Sequence, residues 1–126
     1  MDVLTAPGAP AAVGPYSHAV RTGGLVFCSG QVALDPATDT LVGDDAAAQT
    51  RQVFANIRAV LDAAGLDLGD VVKTTVLLAS MDDYGAVNAV YAEAFGEHRP
   101  ARSAFATGGL PLGALVEIEV IAAAAS

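Results

Sequence analysis

A chain of 126 residues is long enough for one domain with a buried core, and we predict a single domain over residues 1–126. Its net charge of −8 argues against nucleic acid and anionic membranes as partners, because both select clustered Lys and Arg. Hydrophobic residues make up 53% of the chain and charged residues 16%, so an isolated subunit would expose an unusually apolar surface. We therefore expect identical subunits to associate.

Cysteine content and hydropathy indicate the compartment. Cys28 is the one cysteine of the sequence, which excludes a disulfide within the chain and favours a reducing environment. It lies in an apolar run, where a buried thiol is the expected state. The sequence shows no basic N-terminus ahead of an apolar signal core and no apolar run of membrane-spanning length. We expect a cytoplasmic protein without a membrane span.

The N-terminal part of the chain has the pattern of a β-hairpin. Two extended runs, residues 17–21 and 25–29, are joined by Thr22-Gly23-Gly24, which is typical hairpin-turn chemistry. A Gly-Pro turn before the first run places Tyr16 at its start. The second run leads to Gly30, where the missing side chain allows backbone or ligand to approach closely.

The remainder of the chain alternates between helical and strand patterns. Apolar residues recur at helical spacing in two segments, each preceded by a capping residue and followed by glycine. Residues 71–79 form a continuous β-branched run, which predicts a central strand covered on both faces. The predicted elements are a helix from Asp44 or Asp45 to about Ala64, the strand over 71–79, a helix after Ser80 to about Phe95, and strands over 102–107 and 116–121. This order predicts an α+β fold, with both helices against one face of the sheet.

Arg102 is the charged residue that most needs explanation. It is one of six Lys and Arg residues, and its neighbours in the sequence are small or apolar. Alternation along a strand puts Arg102 on one side with Ala104, and it puts Glu117 and Glu119 together on one side of the last strand. The guanidinium needs a carboxylate or phosphate partner, either one of these glutamates or a ligand. Spacing alone favours the structural ion pair, because such pairs outnumber anion sites.

Asn88 interrupts the apolar stripe of the second predicted helix. It lies four residues after Tyr84 and three before Tyr91, so all three share one helix face. A buried amide without partners costs about 1–3 kcal/mol, so Asn88 must bond to backbone or to a ligand. Tyr16 has a similar ambiguity, because half-buried tyrosines often satisfy their hydroxyl groups locally.

Several kinds of catalytic centre are disfavoured. His18 and His98 are eighty residues apart and no Cys or His pair has metal-ligand spacing, so we expect no metal site. The sequence also has no phosphate-binding glycine loop and no G-x-S-x-G motif around a serine. The remaining set is Arg102 with a strand glutamate, Asn88, Tyr16 and the Gly30 backbone. Such a set could bind a small carboxylate and position a water molecule.

The motifs together resemble the RidA (YjgF) family of reactive-intermediate deaminases. Each motif is weak alone, but seven occur in the same order over nearly the whole chain. They are Gly14-Pro15-Tyr16-Ser17-His18-Ala19, Ser29-Gly30-Gln31, Ala63-Ala64-Gly65, Val71-Val72-Lys73-Thr74-Thr75-Val76, Val87-Asn88, Pro100-Ala101-Arg102-Ser103 and Val116-Glu117-Ile118-Glu119.

This resemblance implies a chorismate-mutase-like fold, assembled as a homotrimer with sites in the clefts between subunits. It also implies hydrolysis of enamine and imine intermediates, such as 2-aminoacrylate and other 2-imino acids, to 2-oxo acids and ammonia. The family uses no cofactor for this reaction. The expected partners are therefore a small imino or oxo acid and further copies of the chain.

The resemblance also assigns roles to individual residues. Arg102 matches the arginine that clamps the substrate carboxylate, and Glu117, rather than Glu119, matches the glutamate that holds or activates water. The pocket-lining residues of the family match Tyr16, Gly30 and Asn88. Ala104 departs from the cysteine of the typical member, but we expect its backbone groups to contact substrate all the same. The exchange removes a thiol that could be modified.

Two other functions fit the same residues. The cleft could hold a small carboxylate without turnover, as a sensor or binding module. Relatives in this family have also been described as ribonucleases or translation inhibitors. The net charge of −8 and the absence of a basic patch disfavour RNA as a substrate.

Overall fold

Both helices lie on one face of a six-stranded sheet in the computed structural model, which describes residues 1–124. The strand order is β1-β2-β3-β6-β4-β5, with β4 and β5 parallel and the other pairs antiparallel. The predicted α+β class, with a mixed sheet and two helices, is confirmed. The elements are β1 (Asp2–Leu4), β2 (Ala19–Thr22), β3 (Leu25–Gln31), α1 (Ala46–Ala63), β4 (Val71–Leu78), α2 (Tyr84–Phe95), β5 (Ala101–Ala106) and β6 (Val116–Ala123).

The predicted hairpin is formed by β2 and β3. Gly23 and Gly24 both have positive φ angles, 57° and 79°, which two consecutive glycines adopt without steric cost. This two-residue turn pairs Thr22 with Leu25 and so sets the register of the hairpin. The N-terminal residues add β1 to the free side of β2.

The ends of α1 follow from its capping residues. The Asp45 carboxylate accepts a hydrogen bond from the Ala48 amide at 2.8 Å and so satisfies a free donor of the first turn. At the other end Gly65 takes a φ of 74°, and the Arg21 guanidinium of β2 donates to the Ala64 carbonyl. The predicted helix bounds are confirmed to within two residues.

The sheet has one covered face and one open face. Side chains toward the helices are buried, including Val76, Ile118 and Val120. We call the opposite side the outer face. It is lined by Val20, Leu25, Phe27, Lys73, Thr75, Leu77, Ser103, Phe105, Glu117, Glu119 and Ile121.

The prediction that the strand over 71–79 is covered on both faces is wrong for the chain by itself. Along β4 buried residues alternate with residues that are half-buried or exposed, because both helices pack against the same side. The outer face nevertheless carries large apolar side chains among its polar ones, and Phe27 and Phe105 expose 42% and 48% of their surface there. Large apolar side chains are thus left exposed on the face opposite the helices.

Candidate active site

Arg102 projects from β5 toward α2 and is held there by two neutral groups. Its Nη1 donates to Oδ1 of Asn88 at 2.6 Å, and its Nη2 donates to the hydroxyl of Tyr84 at 2.8 Å. Asn88 and Tyr84 are one helical turn apart, so both can reach the same guanidinium. Oδ1 of Asn88 thus bonds to the arginine, a partner that the sequence interpretation, which offered backbone or a ligand, did not include.

An aromatic ring supports the same guanidinium. The Arg102 Cζ atom lies 4.8 Å from the centroid of the Tyr91 ring, within the range of a cation–π interaction. The Tyr91 hydroxyl is hydrogen-bonded to Thr74 Oγ1 at 2.8 Å, and its ring packs edge-on against Phe54 of α1. Because Tyr91 and Thr74 are buried, packing in the core holds the Tyr91 ring in place beneath the guanidinium.

These contacts position Arg102 without neutralising it. No carboxylate is among the hydrogen-bond partners of its side chain in the described part of the chain. The structural ion pair with Glu117 or Glu119 is therefore a wrong interpretation, since both glutamates lie on the outer face and Arg102 lies on the helix side. The guanidinium borders an open depression of about 340 Å³, into which a small anion could enter.

Glu117 lies on the outer face of β6 and is fitted against Gly30 of β3. A Cβ atom built on Gly30 would collide with Oε2 of Glu117 and would lie 3.0 Å from its Cδ. Only glycine leaves this space, which is the close approach that the sequence suggested. Burial raises the pKa of the Glu117 carboxyl, and the negative charge of Glu119 raises it further. A raised pKa makes this carboxylate a stronger base than an ordinary glutamate, which suits a proton acceptor.

Tyr16 is on a loop that is attached near Gly30, whereas Ala104 lies on the same strand as Arg102. The loop that carries Tyr16 is attached to β3 beside Gly30, where the Ser29 hydroxyl donates to the Ser17 carbonyl at 2.6 Å. Tyr16 itself is 50% exposed and so available for contact. Ala104 is half-buried on β5, two residues after Arg102 and on the same side of the sheet.

One chain thus carries the predicted site residues in two separate groups. We call Arg102, Asn88 and Ala104 at the β5 edge the arginine half. We call Glu117 and Gly30 on the outer face, together with the Tyr16 loop attached beside Gly30, the glutamate half. Residues that pair across two strands share a face of the sheet. Glu117 pairs with Leu77, which pairs with Phe105 on the outer face. Arg102 pairs with Thr74, which is buried on the helix side. The sheet separates the halves within the chain.

Comparison with known proteins defines the family. Residues 6–124 match the model of the family described as Endoribonuclease L-PSP. The chain is 48% identical over 121 residues to a RutC family protein of Pyrococcus horikoshii, covering 96% of both chains. It is 47% identical over 120 residues to the mouse protein named 2-iminobutanoate/2-iminopropanoate deaminase, covering 95% of this chain and 89% of that one.

A solved structure gives the same result at the level of the fold. The crystal structure of RidA from an Antarctic Psychrobacter superposes with a TM-score of 0.93 at 43% identity, covering 98% of this chain and 99% of that one. The chain belongs to the RidA (YjgF) family. The family predicted from the sequence motifs is therefore confirmed.

Sequence reasoning missed part of the arginine half of this RidA-family chain. Tyr84 and Tyr91 were interpreted as members of an apolar stripe, and Thr74 as part of a strand. The signal that could have found them is the spacing of Tyr84, Asn88 and Tyr91, which places two hydroxyl groups and one amide on a single helix face. The two groups that bond to Arg102, the Tyr84 hydroxyl and the Asn88 amide, are one turn apart, and such a pair indicates a common polar partner.

The structure was also searched for metal-binding clusters and membrane-spanning helices. Residues 1–124 contain no group of three or more His, Cys, Asp or Glu side chains that could hold a metal ion. Within the same range, neither helix has the length and apolar composition of a membrane span. Cys28 is partly buried on β3, and burial raises the pKa of its thiol to about 11, so the thiol is protonated near neutral pH.

Proposed function

We propose that this RidA-family chain hydrolyses 2-imino acids and their enamine tautomers to 2-oxo acids and ammonia. Arg102 binds the substrate carboxylate, and Glu117 of a neighbouring subunit holds the attacking water. The observation that carries this proposal is the Arg102 guanidinium, anchored by Asn88 and Tyr84 at 2.6 and 2.8 Å while its charge stays free. Relatives that are 42–47% identical and named 2-iminobutanoate/2-iminopropanoate deaminase support the reaction type.

The reaction needs two tasks from the protein. The arginine fork fixes the carboxylate with parallel hydrogen bonds, which holds the adjacent imine carbon in one position. Glu117 takes a proton from water as the water oxygen adds to this carbon, and the carbon–nitrogen double bond becomes a single bond. The nitrogen is then protonated and leaves as ammonia, while the new hydroxyl loses its proton and becomes the carbonyl of the 2-oxo acid.

The chemistry explains why few groups suffice. A protonated imine is electrophilic without a covalent nucleophile, so a positioned water and one proton acceptor complete the set. The raised pKa of Glu117 suits this acceptor, because it makes the ionised carboxylate a stronger base. We accordingly expect the reaction to proceed without a cofactor. Tyr16 and the backbone at Ala104 would line the pocket around the substrate.

The proposed site requires assembly. Arg102 and Glu117 are on opposite sides of one sheet, so a substrate can contact both only between two subunits. The outer face, with Phe27 and Phe105 exposed, offers the surface that would be buried by such assembly. We propose the homotrimer with three inter-subunit clefts and a chorismate-mutase-like fold, as the family resemblance implies.

The direct test generates imino acids with an amino-acid oxidase or a serine/threonine dehydratase and follows 2-oxo acid release. The wild-type protein should accelerate release above the spontaneous rate, and Arg102→Ala should abolish the acceleration while the oligomer stays intact. A wild type that gives no acceleration, under conditions where an established deaminase does, overturns the proposal. Binding of 2-oxo acids without turnover would instead favour a non-catalytic carboxylate-binding module.

The family description also names an endoribonuclease, and RNA cleavage is the competing activity. The chain carries 14 acidic and six basic residues, a balance that disfavours a polyanionic substrate. Incubation of structured and single-stranded RNA with the purified protein should leave both intact. Cleavage that is lost in Arg102→Ala would show that the arginine half acts on phosphate esters.

A further inference from the structure

A second arginine lines the depression beside Arg102. This depression, of about 340 Å³, is bordered by Arg99 and Arg102 together with Asn88, Tyr91, Ala92 and Pro100. Arg99 lies in the segment that connects α2 to β5, and its side chain is exposed. The lining therefore contains two guanidinium groups, one of them anchored by Asn88 and Tyr84.

Arg99, like Arg102, makes its hydrogen bonds to neutral groups. Its Nη1 donates to the backbone carbonyls of Gly96 and His98, the latter at 3.0 Å. These contacts employ one nitrogen of the guanidinium, and its Nη2 and Nε groups have no hydrogen-bond partner within residues 1–124. An arginine in this state can still bind an acidic group with two parallel hydrogen bonds.

A depression lined by two arginines and no carboxylate is unusual for this chain, since the depression of about 300 Å³ that Arg51 and Arg58 line also contains Glu93. Only six residues are Lys or Arg, against 14 Asp and Glu, and two of those six line one small depression. The net charge of −8 repels a dianion at long range, so a dianion could be favoured only by local positive charge. Arg99 and Arg102 supply that charge.

A larger depression of the same chain provides the contrast. It has a volume of about 630 Å³ and lies between the C-terminal part of α1 and that of α2. Its lining has Arg58 beside two carboxylates, Asp62 and Asp67, so its charges offset one another. Size alone therefore does not select an anion, whereas two arginines without a carboxylate partner do.

The volume of the arginine-lined depression also exceeds what a three-carbon or four-carbon imino acid requires. A cavity of about 340 Å³ falls in the range that accommodates ligands of many more atoms. A substrate held by its 2-carboxylate on Arg102 would leave space for a longer side chain. The polar group best matched to the remaining lining is a second acid.

We propose that Arg99 forms a second anion subsite, so that this chain prefers 2-imino and 2-oxo acids with a second carboxylate at the end of the side chain. The inference rests on the proposed function in one respect, since Arg102 is taken to bind the 2-carboxylate. Arg99 binds the distal carboxylate and thereby determines specificity. It takes no part in the chemical step, so substrates with neutral side chains need not depend on it.

Titration calorimetry with stable 2-oxo acids tests this preference independently of turnover. The matched ligands are 2-oxoglutarate and 2-oxopentanoate, which have the same chain length and differ in the second carboxylate. The wild type should bind 2-oxoglutarate about three- to tenfold more tightly than 2-oxopentanoate, the range expected for an exposed bidentate pair. Arg99→Gln should remove this difference and leave the affinity for 2-oxopentanoate unchanged, and Arg99→Lys should restore part of it.

Arg51→Gln is the matched control, because it makes the same change in net charge, from −8 to −9, at an exposed arginine of α1 outside this depression. It should retain the preference for the dicarboxylate. Equal affinity for the two ligands in the wild type, or a preference that survives Arg99→Gln, overturns the inference.

Failure of the proposed function gives a different result: the imino-acid assay then shows no hydrolysis, while the Arg99-dependent preference for the dicarboxylate persists. Absence of binding by either ligand overturns both the arginine clamp and the subsite.

Discussion

Gly30 of β3 leaves the space that the Glu117 carboxylate of β6 occupies. The two residues meet on the outer face, where a Cβ atom at position 30 would lie 3.0 Å from Cδ and 3.1 Å from Cγ of the glutamate. Gly30 does not have a positive φ angle, so its conformation is open to other residues. Glycine is therefore required at position 30 for steric reasons, because a larger residue would displace the Glu117 carboxylate.

Gly30→Ala should displace Glu117 and lower kcat/KM for imino acids about 10- to 100-fold, because a shift of about 1 Å in a catalytic group can have this effect. Gly85→Ala is the matched control, since Gly85 is exposed on α2 and has nothing within 4 Å of an added Cβ. It should keep full activity and raise the free energy of unfolding by about 0.5–1 kcal/mol. Equal activity in the two variants would show that the fit of Gly30 to Glu117 has no catalytic role.

Asn88→Asp tests whether the neutrality of the Arg102 anchors matters. An aspartate at this position would pair with the guanidinium and compete with the substrate carboxylate for its charge. We expect KM to rise about tenfold or more without a loss of thermal stability. Kinetics and thermal melts of Asn88→Asp, compared with Tyr84→Phe, separate the two effects, because the phenylalanine removes one hydrogen bond and adds no charge. A KM unchanged in Asn88→Asp would contradict the clamp.

The pH dependence of the reaction should report Glu117. Burial raises the pKa of this carboxyl first, and the Glu119 charge raises it second. The ionised form accepts the proton from water, so the rate should fall as the pH drops through this raised pKa. Glu119→Gln removes the smaller cause and should move the acidic limb of kcat/KM to lower pH. Asp62→Asn, the same charge change at an exposed position of α1, should leave the limb in place.

The same carboxyl should affect stability in the opposite direction to activity. Its pKa is higher in the folded chain than in the unfolded chain, so the folded state favours the protonated form. The stabilising contribution is complete below the unfolded pKa and is lost as the pH rises through the folded pKa. Glu117→Gln should therefore abolish turnover and raise Tm at neutral pH, with a smaller gain at acidic pH. A lower Tm at neutral pH would contradict the assigned cause of the shift.

The elements of this fold could be predicted where local chemistry determines them. Asp45 caps α1 through its own side chain, and Gly23 and Gly24 take the positive φ angles that a two-residue turn requires. The family motifs also identify Gly30 and Glu117 as site residues, although they do not predict the contact between them. In each of these cases the necessary information lies within a few residues of the chain.

What the sequence could not provide was the relative placement of side chains from different elements. Tyr84 looked like an apolar helix residue, and its hydrogen bond to Arg102 depends on how α2 packs against β5. The β-branched run of β4 predicted cover on two faces, but one chain covers only the side toward the helices. Periodicity reports that a face is apolar and says nothing about which molecule covers it.

The arginine half and the glutamate half are separated by the sheet of one chain, so Arg102 and Glu117 can act on one substrate only when they come from different subunits. In a ring of identical subunits every site then takes its arginine from one chain and its glutamate from the next. Inactive variants of the two halves should accordingly complement each other.

Arg102→Ala and Glu117→Gln should each be inactive alone and regain activity when mixed. Equal amounts, dissociated and reassembled together, should recover about a quarter of wild-type activity, because random assembly places an intact arginine beside an intact glutamate in about one site in four. The double variant Arg102→Ala/Glu117→Gln, reassembled with wild type, controls for dilution of intact sites. Mixing without dissociation should give no recovery. If reassembled mixtures also stay inactive, while reassembled wild type regains its rate, the two residues do not share a site across subunits.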